Sequence, residues 1–461
     1  MADREATPGP PNQGELTRAC RTLILCFDGT TNEYDSENTN VVKFFSMLKK
    51  DDFTKQLTYY QPGIGTWFKP GIVTPLFDWG ARVMDTAFAW YLDAHVLDGY
   101  RFIMQNYRVG DKICLFGFSR GAYTARALGG LLHKIGLLPK DNDEQMAFAY
   151  KLYKREDSVG LELCAGFKQT FCQPVQIEFM GVWDTVSSVG VLMSRTLPFT
   201  NSNASVKTFR HALSLDERRA RFRPTYFHRP IIRRSNTIGC SSTKGSVGHQ
   251  NSSLELPSQP RPQKSARWWK RILPKLARTR NEQPPGGVLV DQSVDVMEVW
   301  FIGGHGDVGG GNLQNSFQRN VANISLRWMA RQVMAAQAGI LFDEEALRRE
   351  EIPSVSEPRP SFLQCGDEEL RLDTLDAVEP IHDQLKAQPL WWSLEGLPLL
   401  HTWQDSYDRA CHQHSPNFGR GRHILDAKPL FHITVKQRME TIALRYKPRA
   451  LWQKGSEAYV S

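Results

Sequence analysis

Ser119 stands in Gly117-Phe118-Ser119-Arg120-Gly121, a G-x-S-x-G pentapeptide. The apolar run at 112–116 reads as a buried strand, and residues 122–128 with Leu131 and Leu132 read as a helix. A serine at so sharp a strand-to-helix turn has its Oγ pushed up at the end of a sheet. The flanking glycines let strand and helix pass close to each other. Such a serine can attack an acyl carbon if a base takes its proton and a carboxylate holds that base in the right tautomer. The alternative reading is a tight turn that happens to contain a serine.

Two further residues fit those roles. Asp184 follows the strand-like run at 175–183, and His305 lies in Gly303-Gly304-His305-Gly306-Asp307 after the run at 294–301. The chain order serine, aspartate, histidine is that of α/β-hydrolase triads. Asp184 could instead cap a turn. The glycines around His305 suggest a mobile, exposed loop, where a histidine seldom serves as core filler. Among the twelve histidines, His133, His211 and His432 are rival bases. An oxyanion hole needs two backbone donors, expected from Arg120 and from Gly29 in Asp28-Gly29-Thr30. Asp28, Thr30 and Asp307 are the supporting residues. His305, Asp307 and Asp28 could alternatively form a metal site, but they lack tight ligand spacing. The expectation is therefore no metal and no cofactor, with Asp307 ordering its glycine-rich loop.

The elements that must position these residues alternate in type. Strands are expected at 21–27, 57–60, 112–116, 175–183 and 294–301. Helices are expected at 41–48, about 85–107, 143–155, 209–221 and 321–335. This alternation predicts an α/β-hydrolase-like fold: a mostly parallel, doubly wound sheet with helices on both faces. In such sheets the site lies beyond the carboxyl ends of the strands, where Asp28, Ser119, Asp184 and His305 all fall. Residues 1–20 read as a disordered leader, 21–440 as the catalytic domain, 233–287 as a long, disordered, low-complexity basic insertion within it, and 441–461 as a C-terminal tail.

Composition excludes several classes. The 461 residues are 41% hydrophobic and 23% charged, with no run long enough for a membrane span and no apolar signal-peptide core. Eight cysteines without C-x-x-C pairs or regular spacing fit a reducing compartment, and a cytoplasmic location is expected. Much of the net charge of +8 comes from the insertion, so a nucleic-acid partner is not expected for the fold itself. Within the insertion, residues 261–280 interleave Trp268, Trp269, Ile272, Leu273 and Leu276 with lysines and arginines. That pattern suits peripheral contact with an anionic membrane, a solvated basic linker, or a nuclear-localisation or nucleic-acid role.

Four motifs occur in order: Phe27-Asp28-Gly29-Thr30-Thr31-Asn32, Gly117-Phe118-Ser119-Arg120-Gly121-Ala122, Gly181-Val182-Trp183-Asp184-Thr185-Val186 and His305-Gly306-Asp307-Val308-Gly309-Gly310-Gly311. Together they resemble the catalytic domain of type VI secretion phospholipase effectors, an α/β-hydrolase family with a large fungal branch. Trp391-Trp392-Ser393-Leu394-Glu395 and Asn417-Phe418-Gly419-Arg420-Gly421-Arg422 resemble that branch specifically. The resemblance covers 21–232 and 288–440. It implies a carboxylic ester hydrolase, phospholipase A or lipase, with Ser119, Asp184 and His305 as its triad and an ester or lipid as substrate. Two other readings stay open. Phe27-Asp28-Gly29-Thr30 echoes the haloacid dehalogenase phosphatase motif, although Cys26 occupies the nucleophile's position. The fold could also serve as a non-catalytic binding module.

Overall fold

The alternation expected from the sequence is present in the computed structural model, which describes residues 20–29, 32–63, 77–186, 197–200, 203–227, 294–353, 366–404 and 410–461. The side chains of 77–90, 399–404 and 410–414 are not described. The chain divides into two compact units, 1–230 with 292–461, and 231–291. The second unit lies outside the described residues, and so do the expected insertion, the 261–280 segment, residues 1–19 of the leader, and Thr30.

The first half of the described unit runs β1 (Thr22–Phe27), α1 (Asn40–Met47), β2 (Gln56–Gln61), α2 (Phe77–Asn106), β3 (Lys112–Phe118), α3 (Ser119–Lys134), α4 (Asp143–Tyr153), α5 (Ser158–Phe171) and β4 (Ile177–Trp183). There follow β5 (Val206–Ser214), β6 (Asp295–Phe301), α6 (His305–Gly309), α7 (Ala322–Ala335), α8 (Glu344–Arg349), α9 (Asp367–Asp376), α10 (Gln384–Ala387) and α11 (Trp392–Glu395). The last elements are the hairpin β7 (Leu399–Gln404) and β8 (Ala410–Ser415), then β9 (Leu430–His432), α12 (Ile433–Glu440) and β10 (Ala458–Val460).

Eight strands form one open sheet in the order β10-β9-β6-β5-β4-β3-β1-β2, with every pairing parallel. Parallel strands are covered on both faces, and the side-chain period of two sorts their residues between two cores. Leu23, Leu25, Phe27, Ile113 and Leu115 join one core with residues of α2 to α5. Ile24, Cys26, Cys114, Phe116 and Phe118 join the other with residues of α1, α7 and α8. The strand order reverses between β1 and β3, which opens a crevice at their carboxyl ends.

Two expectations fail here. Residues 209–221 do not form a helix: their first half belongs to β5, which pairs with both β4 and β6. Phe209, Ala212 and Leu213 have helical spacing, but a strand buried on both faces need not alternate, so periodicity alone misleads. The buried Arg210 and His211 added to the helical appearance. Nor are residues 441–461 a tail outside the domain. β10 extends the sheet beside β9, and Ala450 N donates to Leu215 O at 3.1 Å. The three-residue β10 is too short to announce itself as a strand.

Candidate active site

The elbow is built by sterics. Ser119 has φ +58°, a left-handed conformation uncommon for a residue with a side chain. A Cβ on Gly117 would lie 2.6 Å from Gly121 O, and one on Gly121 would lie 2.3 Å from both Phe27 O and Asp28 O. The two glycines of the motif are therefore the condition for α3 to start against the end of β1. The strained serine lies at the β1/β3 crevice.

The structure brings Ser119, His305 and Asp184 together in one hydrogen-bonded chain. His305 Nε2 is 2.8 Å from Ser119 Oγ, and His305 Nδ1 is 2.6 Å from Asp184 Oδ2. With an ionised Asp184 at Nδ1, that nitrogen carries the proton and Nε2 accepts from the serine hydroxyl. Ser119, His305 and Asp184 are 5%, 6% and 0% exposed, so these bonds form in a medium of low polarity. Phe118 and Phe222 flank the His305 ring with centroids 4.6 and 4.8 Å away, giving it apolar walls.

Asp184, also at positive φ (+39°), is held more firmly than a turn cap would be. Its oxygens accept from Ser214 N at 2.9 Å and Ser214 Oγ at 3.1 Å, and from both terminal nitrogens of Arg422 at 2.6 and 2.8 Å. Burial alone would raise its pKa. The adjacent Arg422 charge and the hydrogen bonds from His305 and Arg422 reverse that, and hold the carboxyl well below the usual carboxylate range. For His305, burial lowers the pKa and outweighs the opposing pull of Asp184.

His305 does not sit in a mobile, exposed loop, as its glycines suggest. It is the buried first residue of α6, and three successive N–H groups are each captured by a buried carboxylate. Gly303 N donates to Asp216 Oδ2 (2.8 Å), Gly304 N to Asp307 Oδ2 (2.9 Å) and His305 N to Glu217 Oε2 (3.2 Å). Asp307 in turn accepts from Asn312 Nδ2 at 2.9 Å and His382 N at 2.9 Å, and lies 2.7 Å from His382 Nδ1. Its place is thus in ordering the turn. Both nitrogens of His305 are engaged with Asp184 and Ser119, and no group of three potential metal-binding side chains occurs among the described residues.

The donors expected for an oxyanion fare differently. Arg120 lies in the first turn of α3, next to Ser119. The Gly29 N–H donates to Asp28 Oδ1 at 2.7 Å, so in this conformation it is engaged within its own turn, contrary to expectation. Asp28 also accepts from Thr39 Oγ1 and from Tyr60 OH at 2.8 Å, and so braces the loop after β1. Burial pushes its carboxyl up to about 6, against the hydrogen bonds from Tyr60, Gly29 and Thr39. The sequence reading missed this self-capping because an aspartate before a glycine looks the same whether it caps or leaves the N–H open.

The rival histidines are occupied elsewhere. His133 Nδ1 lies 2.6 Å from Ser205 Oγ, His211 lies between Thr185 N and Glu298, and His432 stacks on Phe301. Ser214, Asp216, Glu217 and Arg422 have no site role in the sequence analysis, although Arg422 ends one of its two branch-specific stretches. The charged run Asp216-Glu217-Arg218-Arg219 directly after a buried strand is the signal that could have revealed the middle two.

The chain is similar to several known proteins. Over 95% of its length the chain is 27% identical to the Saccharomyces cerevisiae "Uncharacterized protein YEL023C", of which it covers 81%. A crystal structure of an uncharacterized Pseudomonas aeruginosa protein matches 78% of the chain at 17% identity and TM-score 0.36, and the chain spans about half (53%) of that protein. The Tle1 effector bound to the VgrG spike of the type VI secretion system matches 88% of the chain at 14% identity and TM-score 0.35, with 91% of the effector covered. Residues 21–332, more than half of the sequence, match the family described as "T6SS, Phospholipase effector Tle1-like, catalytic domain", and the chain belongs to that family.

Proposed function

We propose that this protein is a serine carboxylic ester hydrolase that cleaves lipid or phospholipid esters through an acyl-enzyme. The observation that carries the reading is the chain Ser119–His305–Asp184 at 2.8 and 2.6 Å, with the serine on a strained elbow. Membership in a phospholipase effector family supports the lipid substrate class.

In this reading His305 Nε2 removes the hydroxyl proton as Ser119 Oγ attacks the ester carbonyl. The carbonyl π pair moves onto oxygen. Asp184 stabilises the imidazolium, which then returns its proton to the departing alcohol as the tetrahedral intermediate collapses. Water repeats the sequence on the acyl-enzyme. The Arg120 N–H at the start of α3 serves as one oxyanion donor. The second donor is proposed to be Gly29 in the turn after β1, once its N–H leaves Asp28 Oδ1 for the substrate oxygen.

Residues 261–280 are proposed to bring the enzyme to anionic lipid. Their tryptophans and aliphatic groups enter the headgroup boundary, and their cations face the phosphates. A panel of p-nitrophenyl esters and phospholipid vesicles tests the main reading, with wild type beside Ser119→Ala. Ester cleavage by wild type alone supports it, and equal turnover by the two proteins rejects it.

A further inference from the structure

The three motifs that carry the proposed chemistry end at residue 311, yet Asp184 receives a permanently charged partner from residue 422. We propose that Arg422 is a positioning residue for the reaction: its guanidinium fork fixes the Asp184 carboxylate, and through it the His305 ring, so that Glu395 and the stretches 417–424 and 449–451 complete the site. This inference rests on the hydrolase reading above.

The geometry is that of a clamp. A planar guanidinium meets a carboxylate through two parallel bonds, and here they measure 2.6 and 2.8 Å. The same group donates to Ser214 O at 2.9 Å and Phe222 O at 2.5 Å. It thereby joins the end of β5, the turn that presses Phe222 on His305, and Asp184. Asp184 and Phe222 both touch His305, and Ser214 touches Asp184.

Arg422 is itself held by backbone. Leu451 N donates to Arg422 O at 2.8 Å, and Ile424 N to Leu451 O at 2.9 Å. A Cβ on Gly421 would lie 1.8 Å from Arg449 O, so this strand of chain can approach only as glycine. One turn earlier, Asn417 Nδ2 donates to Glu395 Oε2 and to Arg218 O, each at 2.7 Å, while Ala220 N donates to Glu395 Oε1 at 2.7 Å. The W-W-S-L-E and N-F-G-R-G-R stretches thus have a common physical role. They hold the 217–223 turn, which supplies Glu217 to the His305 N–H and Phe222 to its ring.

The clamp has an electrostatic consequence. The charged groups about His305 are Asp184, Glu217, Arg219 and, behind Asp184, Arg422. Arg422 compensates Asp184, so the imidazolium is stabilised less than beside a lone carboxylate. Neutralising Arg422 should therefore raise the pH at which His305 loses its proton.

The test uses the full-length wild type, Arg422→Lys and Arg422→Gln. End-point titration with a fluorophosphonate counts competent sites. Then kcat and kcat/KM for p-nitrophenyl acetate are measured per labelled site across the pH range in which histidine titrates. Lysine keeps the charge but not the fork, so kcat per site should fall about 10-fold with the acidic limb unmoved. Glutamine loses both, and kcat should fall on the order of 10²-fold with KM nearly constant. Its acidic limb should move up by about one pH unit. A purely architectural role would reduce the number of labelled sites and leave kcat per site and the acidic limb as in wild type, which would overturn the proposal. If the glutamine variant does not fold, wild-type kcat per site in the lysine variant overturns it equally. A wild type that neither labels nor hydrolyses removes the hydrolase reading and this role with it. An active wild type with unaffected variants removes this role alone.

Discussion

At the scale of single residues, Asp184 is shared among three donor residues: His305 Nδ1–H, the Arg422 fork, and Ser214 through its N–H and Oγ. Asp184→Asn should therefore have two effects. Loss of the orienting carboxylate should reduce kcat on the order of 10⁴-fold with little change in KM. The variant also leaves a buried guanidinium without its counter-charge, which should cost about 3 kcal/mol of stability, readable by urea denaturation. His305→Ala removes the base alone, and should match the loss of activity in Ser119→Ala, because the two residues act as a unit. The pH profile follows from the same burial. The base must be neutral, and burial holds the His305 pKa below its ordinary 6.5. Activity should thus persist as pH falls through 6.5 and drop only as His305 itself protonates. A kcat/KM profile with its acidic limb above 6.5 would contradict this.

At the scale of elements, the elbow exists because α3 starts against the carbonyls that end β1. Gly121→Ala puts a methyl 2.3 Å from two backbone oxygens that cannot swing aside. The expected loss is about 3 kcal/mol, read as a lowered urea midpoint. The strands of this site were legible because β1, β3, β4 and β6 are short, largely apolar runs, each followed within two residues by glycine or a polar residue. β5 was not, because Phe209, Ala212 and Leu213 carry helical spacing within a strand buried on both faces. The buried setting of His305 was also hidden. Glycines signal freedom in sequence, but here their N–H groups are held by Asp216 and Asp307, the first of them 87 residues distant. Arg422 lies 238 residues from Asp184, and no local pattern announces such a pairing. Residues 441–461 also belong to this scale: Tyr446 OH and Arg449 N both donate to Asp216. A chain ending at residue 440 should accumulate poorly in soluble form and lack esterase activity, as fractionation and a p-nitrophenyl acetate assay would show.

At the scale of the whole molecule, one topological fact gathers the site. The sheet reverses its order between β1 and β3, so the loops after β1, β3, β4 and β6 meet at one end of the sheet. That much follows from alternating elements and four ordered motifs. The lipid-facing role of residues 261–280 rests on composition, and is tested separately from the chemistry. Wild type should sediment with anionic but not neutral vesicles, less so as salt rises, with each cation near the surface contributing about 1 kcal/mol. Deleting 261–280 should abolish sedimentation and leave p-nitrophenyl acetate turnover unchanged. Equal sedimentation of the deletion would make the segment a linker.

The central claim is that Ser119 is an activated acyl acceptor. Stoichiometric fluorophosphonate labelling followed by peptide mass mapping tests it most directly. The account predicts one adduct per chain, on Ser119, formed in step with loss of ester hydrolysis and absent from Ser119→Ala and His305→Ala. An unlabelled wild type, or an adduct on another residue with hydrolysis retained in Ser119→Ala, would contradict it.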